Sequence, residues 1–144
     1  MSSPNTAPRV MGEAARWFAA LALALLASPE VMAQTGKSGE QVFSEVCAAC
    51  HATGVDKAPK FGDRTIWAPL IREGQHVLTA HAWVGVRGMP PRGGRADLSL
   101  EEFARGAAHM ARAAGATWKD PDSAMLDRIR AEEQKRLARM KRGK

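Results

Sequence analysis

An all-α fold is expected from this sequence: about four short helices around one centre, followed by a C-terminal stretch that is either helical or disordered. Three observations carry that expectation. Apolar residues recur at helical spacing, most cleanly Phe103, Ala107, Met110, Ala111 and Ala114. Strand-like runs are absent. The two cysteines occur together with a histidine, in Cys47-Ala48-Ala49-Cys50-His51, and mark a centre for the chain to organise around.

The 144 residues suffice for one domain, and a hydrophobic content of 45% allows a small core. The net charge of +6 points to acidic partners or surfaces rather than to any fold. No nucleic-acid partner is expected.

Residues 1–33 read as a cleavable secretory signal. Arg9 and Arg16 supply a basic start, and Trp17 to Ala27 an apolar run too short to span a bilayer comfortably. Ser28 and Pro29 break the run, and Val31-Met32-Ala33 places cleavage before Gln34. The competing reading is an uncleaved amphipathic anchor, which would leave the protein membrane-associated. Either way the chain is expected to be exported to the periplasm.

Gly39 to Cys50 read as the first helix, with Val42, Phe43 and Val46 on one apolar face and His51 at its end. Phe43 is expected to pack against the last helix of the domain. Cys47 and Cys50 lie three residues apart, about one turn, on the same side. That arrangement suits covalent attachment of one haem: each thiol adds to a vinyl group, and His51 reaches the iron from the proximal side. A structural zinc site would need two further ligands, and there is no second cysteine pair. A thioredoxin-like pair would need a βαβ context. A disulfide here would close a very small loop and constrain little.

Ala52 to Asp63 read as a loop by composition. The Pro59 carbonyl could accept the spare ring N–H of His51 and fix its orientation; a simple turn proline is the equal alternative. Ile66 to Arg72 suggest a short helix with Pro69 in its first turn. The Trp67 N–H needs a partner if buried, and a haem propionate is one candidate. Gln75 to Val86 read as another helix, with Val77, Leu78, Ala82 and Trp83 inward and His76 and His81 as surface or boundary residues rather than ligands.

Gly88-Met89-Pro90-Pro91-Arg92-Gly93-Gly94 is a loop stiffened by paired prolines. Alone, Met89 would be an incidental methionine on a turn. With the haem motif upstream, its soft thioether reads as the distal iron ligand. Ser99 to Ala114 form the clearest helix, opened by a Ser99/Glu102 capping box and stopped by Gly115, with Met110 in its core stripe. The stretch 119–144 carries nine basic and five acidic residues, +4 of the net +6. Ser123 can cap a helix there, with Leu126, Ile129, Leu137 and Met140 as a narrow stripe interrupted by Glu133. It reads as a solvated or disordered tail, or as an arm that docks a partner or an anionic membrane surface without touching the haem. The domain boundaries are thus 1–33, 34–118 and 119–144.

Cys47 to His51, Ala58-Pro59, Trp67-Ala68-Pro69 and Gly88-Met89 to Gly94 together resemble a class I c-type cytochrome, most like the cytochrome c5 group, over roughly Gly36 to Gly115. The resemblance implies a small all-α fold around one haem, thioethers at Cys47 and Cys50, and His51 and Met89 as axial ligands. It implies an electron-transfer protein and no enzyme, because both axial positions are filled. Two departures stand out. The second cysteine pair of some members is missing, and His109-Met110 stand where the last helix often presents an aromatic ring. The function implied is a periplasmic one-electron carrier serving redox proteins with acidic docking faces. Alternatives are a dedicated subunit of a larger oxidoreductase and, ranked lower, a haem-based sensor from which Met89 dissociates.

Overall fold

The computed structural model describes residues 36–143. The expected signal segment lies outside the described residues. Five helices make up the architecture, and no strand occurs among the described residues. The first, α1, opens as Gly39–Val42, passes through a π-helical turn at Phe43–Cys47 and closes as Ala48–His51. Then follow α2 (Arg64–Arg72), α3 (Gln75–Val84), α4 (Leu100–Ala113) and α5 (Ser123–Arg142).

Side-chain caps set most of the helix starts. Ser38 and Gln41 form a capping box at α1, and Ser99 and Glu102 form the expected one at α4. Asp63 accepts from the N–H groups of Thr65 and Ile66, so α2 begins at Arg64. Pro69 consequently lies in the second turn and not in the first. At α5 the cap is Asp122, which accepts from Met125 N, and not Ser123.

The π-helical turn has a packing consequence. The Ala48 N–H reaches back to Phe43 O, one residue further than an α-helical bond. The wider turn puts Val42 and Cys47 on the same buried side, facing α4. α1 and α4 meet very closely. A Cβ at Gly39 would lie 2.4 Å from Arg105 O, and one at Gly106 would lie 2.7 Å from Val42 Cγ1. Only glycine fits either position. Beside this crossing Phe43 stacks on Phe61 at 4.2 Å, and the His109 ring lies 5.7 Å from Phe43 and 5.5 Å from Phe61. Phe43 thus meets α4, the last helix of the expected 34–118 domain, with a histidine supplying the ring.

The core joins Val42, Trp67, Trp83, Leu98, Phe103 and Met110. Trp83 and Phe103 meet edge to face at 5.3 Å. α3 is covered on two sides. Trp83 turns to this core, while Ala80 joins Ala104 and the fully buried Ile129 of α5 in a second cluster.

That second cluster changes the reading of 119–144. The stretch is no loose tail: α5 lies along α3, and Thr35–Lys144 forms one compact unit. No break in packing falls at 118/119. Of the expected stripe, Ile129 is completely buried whereas Met140 is 46% exposed. Glu133, read as an interruption, accepts the indole N–H of Trp83 at 3.1 Å. Glu132 is gripped by Arg139 at 2.8 Å, which holds its carboxyl below the usual range. No helix among the described residues is long and apolar enough to cross a membrane.

Candidate functional site

The helices enclose a cavity of about 680 Å³, within the size range of small-molecule and cofactor sites. Cys47, Cys50, His51, Pro59, Trp67 and Met89 all line it. Every candidate site residue read from the sequence therefore reaches one wall or another of a single cavity.

The end of α1 carries the cysteines and the histidine. Cys47 is buried and Cys50 exposed, and neither forms a disulfide. Burial pushes the Cys47 thiol up to about 11, which keeps it protonated. His51 is buried. Its Nδ1 lies 2.8 Å from Pro59 O; as a carbonyl only accepts, Nδ1 carries the proton and donates. The Nε2 lone pair is then the one left for a metal. Phe61 N also donates, to His51 O at 2.7 Å, so the loop after the motif is tied back to the helix end at two points.

Met89 is held by a tight turn. Val86 N donates to Met89 O at 3.1 Å and Met89 N to Val86 O at 2.9 Å. Gly85 has φ +97°, and a Cβ there would lie 3.1 Å from Pro91 N, so the loop folds back onto glycine. Past the prolines, Arg92 lays its guanidinium 4.6 Å above the Trp83 ring and donates to Ala96 O. Both ends of the loop are thereby fixed to the helical frame.

Trp67 lines the cavity, but its N–H is committed elsewhere: it donates to Lys60 O at 2.9 Å. That corrects the expected propionate contact. The Lys60 carbonyl supplies the acceptor itself. His76 accepts from Arg128 at 3.0 Å and does not line the cavity. His81 does line it, 3.7 Å from both Glu73 and Glu132, with its pKa pushed below the ordinary value by burial and then by Arg136.

Other lining residues were read from the sequence only as inward or core positions, and Arg136 not at all. Leu78 and Ala82 come from α3, and Phe103 and Met110 from α4, making those walls apolar. Arg136 comes from α5. The expectation that 119–144 stands clear of the haem site is therefore corrected.

These residues fit a covalent haem. Two thiols a helical turn apart, a buried imidazole with its second nitrogen already bonded, and apolar walls meet in one cavity of cofactor size. Residues 34–110 match the family described as "Cytochrome C oxidase, cbb3-type, subunit III", and the chain belongs to this family of cytochromes. Cytochrome c-555 of Chlorobaculum tepidum is 36% identical over 91 residues, 60% of this chain and 84% of that protein. Cytochrome c5 of Azotobacter vinelandii is 39% identical over 69 residues, 46% of this chain and 83% of that protein. Among solved structures, the cytochrome c of an electron-transfer complex with nitrite reductase matches with TM-score 0.52 and 40% identity, over 56% of this chain and 99% of that one. The chain is thus an all-α c-type cytochrome with one covalent haem c, an electron-transfer protein and not an enzyme, and Cys47 and Cys50 fit the attachment motif.

Proposed function

We propose that this cytochrome is a periplasmic one-electron carrier with His51 and Met89 as the two axial ligands of its haem iron. The haem supplies the chemistry, exchange of one electron between ferrous and ferric iron. Cys47 and Cys50 tether it. His51 offers Nε2 while Pro59 O holds the ring by Nδ1–H. Met89 offers a soft sulfur, which favours the reduced state. Trp67, Leu78 and Phe103 keep water from the centre. Little has to move when an electron passes, because the Val86/Met89 turn and the His51–Pro59 bond are both already made.

The observation that supports this reading best is the convergence of Cys47, Cys50, His51 and Met89 on one cavity. Redox proteins are the proposed partners, since one solved relative is a cytochrome c in a complex with nitrite reductase, and the net charge of +6 is the ground for giving them acidic docking faces. The cations of α5, among them Lys141 and Arg142 in its last turn, would add a steering field for such faces or for an anionic membrane surface. That field is screened over about 10 Å at 0.1 M salt.

Acid–acetone extraction of the purified protein tests the attachment. The haem is expected to stay with the polypeptide. Haem released into the organic phase would overturn the reading.

A further inference from the structure

We propose that His81 is a proton-binding site coupled to the haem: its ring holds a proton more tightly when the iron is ferrous, so the potential of this carrier depends on pH. The inference rests on the reading of the cavity as the haem site.

His81 stands on α3 with its ring on the cavity wall. A carboxylate faces each of its nitrogens. Glu73, at the end of α2, lies 3.7 Å from Nδ1, and Glu132 of α5 lies 3.7 Å from Nε2. Both separations are too long for a hydrogen bond. A neutral imidazole has one N–H and serves only one of the two carboxylates, whereas the imidazolium serves both. Three elements of the fold are thus arranged around the charged form of one ring. Nε2 is the enclosed nitrogen, facing Glu132, and Nδ1 faces the more exposed Glu73. The exchanging proton therefore enters at Nδ1.

Cations oppose the uptake. Burial first, then Arg136 and last Arg139 pull the proton affinity of His81 below its ordinary value, against Glu73 and Glu132. Glu132 stays ionised throughout, because Arg139 and, beside it, Lys135 hold it. Titration is therefore expected on the acid side of neutrality. Glu132 lies beyond residue 110, where the family match ends, so half of this clamp is contributed by the C-terminal helix.

Coupling to the haem needs no contact. Ferric iron carries one positive charge more than ferrous iron, and the apolar walls around Leu78 and Ala82 screen charge weakly. Ferric haem disfavours the imidazolium, and by reciprocity the imidazolium favours the ferrous state. On reduction the iron takes one electron from the donor protein, and His81 takes up part of a proton from water, the part being set by pH. Oxidation returns both.

The test follows the midpoint potential of the holoprotein from about pH 4 to about pH 8, a range that brackets the histidine transition, in the wild type and in His81→Gln. The wild-type potential is expected to fall in one step as pH rises. Protonation should shift the one-electron equilibrium toward ferrous about fivefold, equivalent to about 41 mV. His81→Gln should keep its haem and show no step. A flat wild-type profile, or the same step in His81→Gln, would overturn the inference. Absence of covalent haem from the wild type would instead overturn the functional reading.

A wild-type measurement stands beside the variant in case His81→Gln does not accumulate. The ring protons of His81 are followed against pH by NMR in both redox states. The ring should bind its proton about fivefold more tightly in the ferrous than in the ferric protein. Equal affinity in the two states, or a ring that does not titrate, would overturn the inference.

Discussion

His51→Ala is expected to abolish stable holoprotein. The substitution removes a buried ring whose Nδ1–H is already bonded to Pro59 O at 2.8 Å and whose Nε2 is the remaining metal donor. The loss is more than one ligand. The loop from Ala52 to Asp63 is tied to α1 through His51 O and the His51 ring, so ring loss frees one of the two ties. On the proposed ligation the haem would then keep its tethers at Cys47 and Cys50 and the Met89 sulfur but lose the bond that seats it against α1. Haem staining of the purified variant and its reduced absorption spectrum check this, with the signal expected at background. A His51→Ala protein with wild-type haem yield and an unchanged reduced spectrum would exclude His51 as the proximal ligand.

Truncation after Trp118 is expected to lower stability strongly. The charge pattern suggested a stretch that is solvated or only guides docking, but the packing gives it a part in the fold. Ile129 is fully buried against Ala80 and Ala104. Removing a buried isoleucine side chain alone costs about 2–5 kcal/mol. In a domain of this size that corresponds to a fall in Tm on the order of 10 °C. The truncation also strips Glu133 from the Trp83 N–H and Arg136 from Gly85 O, loosening α3 and the Met89 loop together. Thermal unfolding of the two holoproteins measures the difference, with Ile129→Ala as a milder change at the same contact. Equal melting temperatures for full-length and truncated proteins would mean that α5 does not hold the fold together.

The contrast between these two cases shows what the sequence could convey. The haem centre was legible because its signals are local. Five consecutive residues carry the attachment motif, and Pro59 lies only eight positions from the histidine it orients. The Ser99/Glu102 cap is local too and appears as expected. The parts that were not legible depend on partners far apart in the chain. Glu133 meets Trp83 across 50 positions, and Arg136 meets Gly85 across 51. No periodicity reports such pairs. α5 also hides its buried face, because only Ile129, with Met125 and Leu126 beside it, packs on the second cluster in a helix that is mostly charged. The π-helical turn in α1 was invisible for a different reason. It lies beside the close crossing of α1 and α4 at Gly39 and Gly106, and no residue type within Phe43–Cys47 announces it. His109 was noticed only as a departure from an aromatic pattern, yet its ring fills that place beside Phe43.

The near-infrared spectrum of the ferric protein tests most directly the claim that this is an electron carrier with both axial positions filled. Methionine sulfur bound to ferric iron gives a weak charge-transfer band there. The wild type should show the band, and Met89→Ala should lose it together with a lowered midpoint potential. A band that persists in Met89→Ala would contradict the assignment and move the ligand to Met110, the other methionine on the cavity wall.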